Sequence, residues 1–261
     1  MFGRQHNFYH NGIVYEFKSA KLDYVQKLMP KALKNQINRY FSYVLSDDFP
    51  DDLFNDSNIE RCSSFRVKYL KRGARPRASS QMVQDATILH YKGDKKDLKD
   101  KQIPKVVKEV VKSTRETFFT HIQNGYVKPN HDQVLTKCLL SCNTAISVET
   151  PVWTRKQSTL QDFMQKNQKD HLNFAHSFSL TGHIDLLLYE EENQELVVAD
   201  YKPEGKFLYS LPQVSTYALI LKRVLELDTI RCLSFNKDGA WYYDPEIVRN
   251  EVEEKIQESG N

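Results

Sequence analysis

Three short patterns follow one another between Gly182 and Tyr217: Gly182-His183-Ile184-Asp185, then Asp200-Tyr201-Lys202, then Gln213 with Tyr217 four residues on. Asp185 stands among Ile184, Leu186, Leu187 and Leu188, and Asp200 follows the apolar run Leu196-Val197-Val198-Ala199. An acid in so apolar a setting is costly to bury unless it is paired or bound to a metal. Residues two apart on a strand share a face, so Asp200 and Lys202 can address one point. Two carboxylates at the ends of neighbouring strands, with a lysine beside them, are the groups that hold a hard divalent cation next to a water nucleophile.

The acid-x-Lys tripeptide has little meaning alone, because five others occur, at Glu16, Asp94, Asp97, Glu204 and Glu253. Its position at the end of a buried strand distinguishes the one at Asp200. A metal-free alternative uses the same residues: Asp185, Asp200 and Lys202 as a structural ion-pair network. His183 lies two residues before Asp185 and shares its strand face, as a competing ligand or as a neighbour.

The elements that must position these groups are legible from periodicity and turn residues. Asn11-Gly12 between β-formers predicts a tight hairpin over residues 8–15. A helix is expected over residues 19–45, interrupted near Pro30, and a loop over 47–56. A serine N-cap and Gly93 bracket a helix over 79–91, and Pro104 opens another, over 104–124, that stops at Gly125. The period then changes from 3.6 to 2. Strands are expected over 145–153, 178–189 and 196–202, the last two joined by a polar loop. A helix from Pro212, a hairpin over 229–235 and 240–243, and a terminal amphipathic helix complete the chain. Gln213 and Tyr217 are i and i+4 on the helix and lie on one stripe.

The order of these residues resembles the PD-(D/E)XK nuclease superfamily, and within it the branch containing the RecB nuclease domain, lambda-type exonuclease and the exonucleases of CRISPR adaptation. That branch carries a helical histidine, a strand glutamate, G-x-x-D, D/E-x-K and Q-x-x-x-Y. The matching residues are His90, Glu149, Asp185, Asp200, Lys202, Gln213 and Tyr217. The resemblance implies a restriction-endonuclease-like α/β core, a central mixed β-sheet flanked by helices, here with an N-terminal hairpin and helical extension. It implies that His90, Asp185, Asp200 and the backbone carbonyl of Tyr201 ligate Mg2+ or Mn2+, with Glu149 available to a second ion. Lys202 would orient or activate the attacking water and offset charge on the scissile phosphate. Gln213 and Tyr217 would support the lysine or a DNA phosphate. The expected activity is metal-dependent hydrolysis of DNA phosphodiester bonds, exonuclease-like or directed at ends and single strands, with RNA left open.

Composition frames this reading. At 261 residues and 40% hydrophobic the chain can build one sizeable core. A single nuclease-like domain is expected, with residues 1–78 as an extension and 79–261 as the core. The net charge of +3 is small, but Arg61, Arg66, Lys68, Lys71, Arg72, Arg75 and Arg77 cluster without an intervening acid. Arg66 to Arg77, with Lys206, are candidate phosphate contacts, and a solvated charged loop is the alternative. Phe65, Val67 and Tyr69 alternate with the basic residues as on a two-faced strand.

Cys62, Cys138, Cys142 and Cys232 are not spaced for an iron–sulfur cluster or zinc, and neither is expected. With no secretory start, the thiols are expected to be reduced and the protein cytoplasmic, nucleus and organelles left open. No apolar run approaches the roughly 20 residues of a membrane span. The competing function is a non-catalytic nucleic-acid-binding subunit of a replication or repair assembly; a helicase or repair protein is the partner either reading suggests.

Overall fold

A computed structural model describes residues 3–20, 28–64, 88–92, 103–154 and 179–248. Among them, nine strands form one mixed, mostly antiparallel sheet. They are β1 (Gln5–His10), β2 (Ile13–Ser19), β3 (Glu60–Arg61), β4 (Ile88–Lys92), β5 (Ala145–Thr154), β6 (Leu180–Glu190), β7 (Glu195–Tyr201), β8 (Ile230–Phe235) and β9 (Gly239–Tyr243). The helices are α1 (Lys31–Val44), α2 (Asp51–Asn55), α3 (Lys105–Gln123), α4 (His131–Ser141) and α5 (Phe207–Val224). Strand order is β1-β2-β5-β6-β7-β8-β9-β4, with β3 lying parallel to β6. The other parallel pair is β7 with β8, joined through α5 in a βαβ crossover.

Both faces of the sheet are covered, which is why β5 and β7 are buried along their whole length. Val106, Val110, Val134 and Leu135 of α3 and α4 pack with Val148, Leu186, Leu188 and Leu233 on one face. Phe41 of α1 and Leu211, Val214 and Tyr217 of α5 pack with Ile146, Leu187 and Val198 on the other. Each such aliphatic side chain contributes about 1.5–3 kcal/mol by leaving water. That sum is what offsets the burial of several acids at one edge of the sheet.

The first hairpin forms as its turn residues dictate: Asn11 and Gly12 both have positive φ, 51° and 79°. The helix beginning near Pro104 and the strands β5 to β9 also fall where the periodicity places them. Several elements differ, among them α4 and β3, which no expected helix or strand covers. Ser19 ends β2 where a helix was expected to begin; residue 28 is helical and the chain breaks at Pro30 before α1, while residues 21–27 lie outside the described residues. The loop around Asp51 contains the short α2. Helix α5 starts at Phe207 and contains Pro212, because burial of Phe207 and Leu211 carries the additional turn. The other difference that bears on the site is β4, where residues 88–91 were expected to be helical. All five of its residues pair with β9, whose edge offers unmet backbone partners to the β-formers Ile88 and Tyr91. The rest of that expected helix, the basic run from Arg66 to Arg77 and most of the terminal helix lie outside the described residues.

Among the described residues, no helix is long and apolar enough to cross a membrane.

Candidate active site

Register brings three acids into one row. Glu149 falls between the β5–β6 pairs Val148↔Leu186 and Thr150↔Ile184, level with Asp185. The β6–β7 ladder ends at Leu186↔Ala199, one step before Asp185 and Asp200. The strands part where the acids emerge, leaving their carboxyl groups at an open fork. Asp200 in turn pairs with Ser234 of β8.

Glu149 departs most from regular strand geometry. It has a φ of 49°, a left-handed conformation that costs a non-glycine residue on the order of 1–3 kcal/mol and persists where surrounding structure enforces it. Its carboxylate is buried against His183, but the contact is out of line for a hydrogen bond, so Oε2 and His183 Nδ1 have no hydrogen-bonding partner. The ring of His183 is held by Tyr15, 4.0 Å between centroids.

The fourth group is His131, the first residue of α4. Its Nε2 is 3.0 Å from Asp185 Oδ2, and its Nδ1 is 3.9 Å from Glu149 Oε1. Asn130 and Gln133 form a reciprocal capping box, Gln133 N–H donating to Asn130 Oδ1 at 2.8 Å and Asn130 N–H to Gln133 Oε1 at 2.9 Å. A cap of this kind is worth about 1 kcal/mol and fixes the first turn from which His131 projects. Nothing in the apolar spacing marks His131 as part of the site. The Asn-x-x-Gln signature ahead of Val134 and Leu135 is the local signal that would have located its helix.

His131, Glu149 and Asp185 each offer a ligand atom within 4.8 Å of the others. The buried Oε2 of Glu149 lacks a hydrogen bond, and Oδ2 of Asp200 is met by the Lys202 ammonium without one. Carboxylate oxygens with one imidazole nitrogen suit Mg2+ or Mn2+, so these residues fit a hard divalent cation. Asp200 stands beside this group, with Lys202 Nζ 3.0 Å from Oδ1, to which it donates, and 2.8 Å from Oδ2. Tyr201 donates its amide to Asp185 Oδ2 at 2.8 Å, clamping β7 to the acid on β6.

Electrostatics reflect a surplus of negative charge. Burial alone would raise both aspartates. At Asp185 the adjoining His131, with help from Lys202 and His183, outweighs burial and holds the carboxyl down at about 2. At Asp200, burial and the charge of Asp185 prevail over Lys202 and hold it up at about 7. Burial works against the His131 imidazolium, but Asp185, Glu149 and Asp200 outweigh it and raise the group to about 9. In the metal-free protein a proton on His131 supplies the positive charge these acids lack, and a cation ligated there must displace it.

The remaining candidates are placed as follows. His90 lies on β4, opposite Trp241, which is opposite Ser234, which is opposite Asp200. Three strand spacings therefore separate its backbone from that of Asp200, about 14 Å, and the helix expected to carry it is a strand at this point. Tyr217 is buried with its ring against Gly182, where a Cβ would collide with it. Gln213 Nε2 donates to the Tyr217 hydroxyl at 2.9 Å. The stripe read from i, i+4 spacing therefore exists, and its tyrosine packs the third pattern directly on the first. Lys206 is exposed and paired with Glu204 at 2.6 Å. The four cysteines are buried free thiols.

The placements predict different outcomes for two histidines. His131→Ala is expected to weaken Mn2+ binding, by titration calorimetry, at least about 10- to 100-fold, the range for losing even an outer partner of a ligand. His90→Ala is expected to leave it within about twofold. The reverse ranking would restore His90 as the ligand.

A mixed sheet with helices on both faces, a row of acids where two strands part, and a lysine two residues beyond the last acid define a restriction-endonuclease-like fold with its acidic site. A family model for the PD-(D/E)XK nuclease superfamily matches residues 90–260, well over half of the 261 residues, and the chain belongs to that superfamily. No curated protein and no solved structure matches it.

Proposed function

We propose that this protein is a Mg2+- or Mn2+-dependent DNA nuclease of the RecB-like branch, acting on strand ends or single strands. Superfamily membership supports nuclease-type function in general. The observation that carries the specific reading is the convergence of His131, Glu149 and Asp185 within 4.8 Å, with Asp200 and Lys202 on the adjoining strand.

Residues 79–261 would form the nuclease core and 1–78 an extension. His131, Glu149 and Asp185 would hold the ion, with Asp200 completing the site from β7. A bound divalent ion would polarise the phosphate and acidify a water. Hydrolysis joins a water oxygen to phosphorus as the P–O bond to the leaving alkoxide breaks. Lys202, held at Asp200 by its hydrogen bond, would position that water and compensate charge on the phosphate oxygens. The Asp185 contact with the Tyr201 amide and the Tyr217–Gly182 packing would keep β6 and β7 at their separation.

The test is hydrolysis of labelled linear and circular DNA, single- and double-stranded, with Mg2+, Mn2+ or chelator, alongside thermal unfolding. Activity with either ion and none in chelator is expected. At 100-fold excess over its dissociation constant the ion should add about 2.7 kcal/mol of stability. Neither cleavage nor a thermal shift with either metal would leave Asp185, Asp200 and Lys202 as a structural ion-pair network.

A further inference from the structure

The strands that carry Asp185 and Asp200 are flanked, on the two faces of the sheet, by elements bearing exposed aromatic and basic side chains. On one face α3 reaches this edge at Arg115, whose Nε donates to the carbonyl of Lys237 in the β8–β9 turn at 2.7 Å. The eight residues of α3 beyond Arg115 extend roughly 12 Å further at 1.5 Å per residue. The chain turns at Gly125, φ 82°, and returns through residues 126–130 to His131 on Asp185. On the other face α5 begins five residues after Lys202, with Tyr209 in its first turn.

Nine large apolar side chains are exposed among the described residues, and five of them, Phe119, Ile122, Tyr126, Val127 and Tyr209, belong to these two rims. Phe119, Ile122, Tyr126 and Val127 fall within nine residues of chain ahead of His131, and Tyr209 lies on the other face. Tyr126 is 62% and Tyr209 49% exposed. The Tyr126 ring is backed by His121 at 4.7 Å, which holds an aromatic face in place without burying it. Lys128 and Lys206 are exposed beside them. Glu204 is paired with Lys206, and its carboxylate also feels the charge of Lys128 from the α3–α4 connection.

We infer that Tyr126 and Tyr209 form a stacking clamp for the unpaired bases of a single strand entering the site, with Lys128 and Lys206 against its phosphates. Aromatic faces accept any base, whereas a closed duplex presents no free base to them. The clamp rests on the nuclease reading of the same site, and it selects single-stranded DNA by stacking without reading sequence.

The experiment measures binding of fluorescein-labelled single-stranded and blunt duplex DNA by anisotropy in chelator, so that no cleavage intervenes. Tyr126→Ala and Tyr209→Ala are each expected to weaken single-strand binding roughly 5- to 150-fold, as ~1–3 kcal/mol of stacking per base converts. Duplex binding should change less than about twofold. Tyr126→Phe and Tyr209→Phe should bind the single strand within about threefold of wild type, because the face and not the hydroxyl does the binding. Unaltered single-strand binding, equal losses for both DNAs, or no rescue by phenylalanine overturns the clamp. If the wild type cleaves DNA while the alanine variants bind single strands normally, the clamp fails and the nuclease stands. If single strands bind through these tyrosines but no metal supports cleavage, the nuclease reading fails and the clamp stands.

Discussion

Asp200→Asn is expected to lower metal-dependent hydrolysis by about 10³-fold or more while leaving the metal-free protein at least as thermally stable as wild type. The first half follows from charge. Asn keeps the shape of the side chain but removes one of the acids beside the proposed ion and the anion to which Lys202 is tied. Metal-borne stabilisation of a transition state is worth several kcal/mol, and about 4 kcal/mol corresponds to 10³-fold in rate.

The second half follows from linkage. Burial and the nearby Asp185 raise Asp200 to about 7 in the folded protein, from 3.8. The favourable contribution of its protonated form is fully present below the unfolded value and is lost as pH rises through about 7. At pH 8 the folded chain therefore carries an ionised Asp200 at a cost in stability, and the neutral amide removes that cost. Lys202→Ala is expected to lose activity too, but with lowered stability, since it strips Asp200 of its counter-charge. Initial rates on labelled DNA and thermal unfolding at pH 8 in chelator measure both halves. Asp200→Asn retaining activity within about tenfold of wild type would remove Asp200 from the mechanism. A large drop in its melting temperature would attribute the lost activity to misfolding instead.

Gly182→Ala is expected to be strongly destabilising. Its new Cβ would overlap the ring of Tyr217. The ring is fully buried and its hydroxyl is tied to Gln213, so it has no open direction in which to move. The backbone at Gly182 is held opposite Val152, and β3 pairs with Thr181 immediately before it. Overpacking of this kind costs typically about 1–3 kcal/mol, occasionally more. For a chain of this size that lowers the melting temperature by roughly 2–12 °C. Asp185 is three residues further along the same strand, so activity should fall with stability. Tyr217→Leu is destabilising by itself, yet placed in the Gly182→Ala background it should recover part of the loss, because it vacates the contested space. The double-mutant cycle is therefore expected to be strongly non-additive. Additive losses, or a Gly182→Ala protein that melts at the wild-type temperature, would mean that the glycine and the tyrosine do not constrain one another.

Much of the fold is legible in the sequence where local rules suffice. The first hairpin follows from Asn11-Gly12, α3 from Pro104, valine spacing and Gly125, and β6 and β7 from apolar runs broken by a polar loop. Asp185 stands out because it interrupts such a run, and Asp200 because it ends one. The helix expected at residues 88–91 gives way where local rules compete with long-range ones: caps and spacing favour a helix there, while the open edge of β9 pairs with residues 88–92 as a strand. His131 was missed because what qualifies it is a contact with Asp185, 54 positions away, to which no short spacing points.

The sequence by itself determined which acids and which lysine stand within or just after the apolar runs of the central strands, since burying charge there is tolerable only for groups that meet a partner. Only the tertiary structure decided which histidine joins them, that Glu149 turns into the same row through a left-handed backbone, and that Gly182 and Tyr217 occupy one another's space. Those outcomes depend on strand register and on how the helices pack against the sheet. They are set by contacts among residues far apart in the chain, and local spacing carries no record of them.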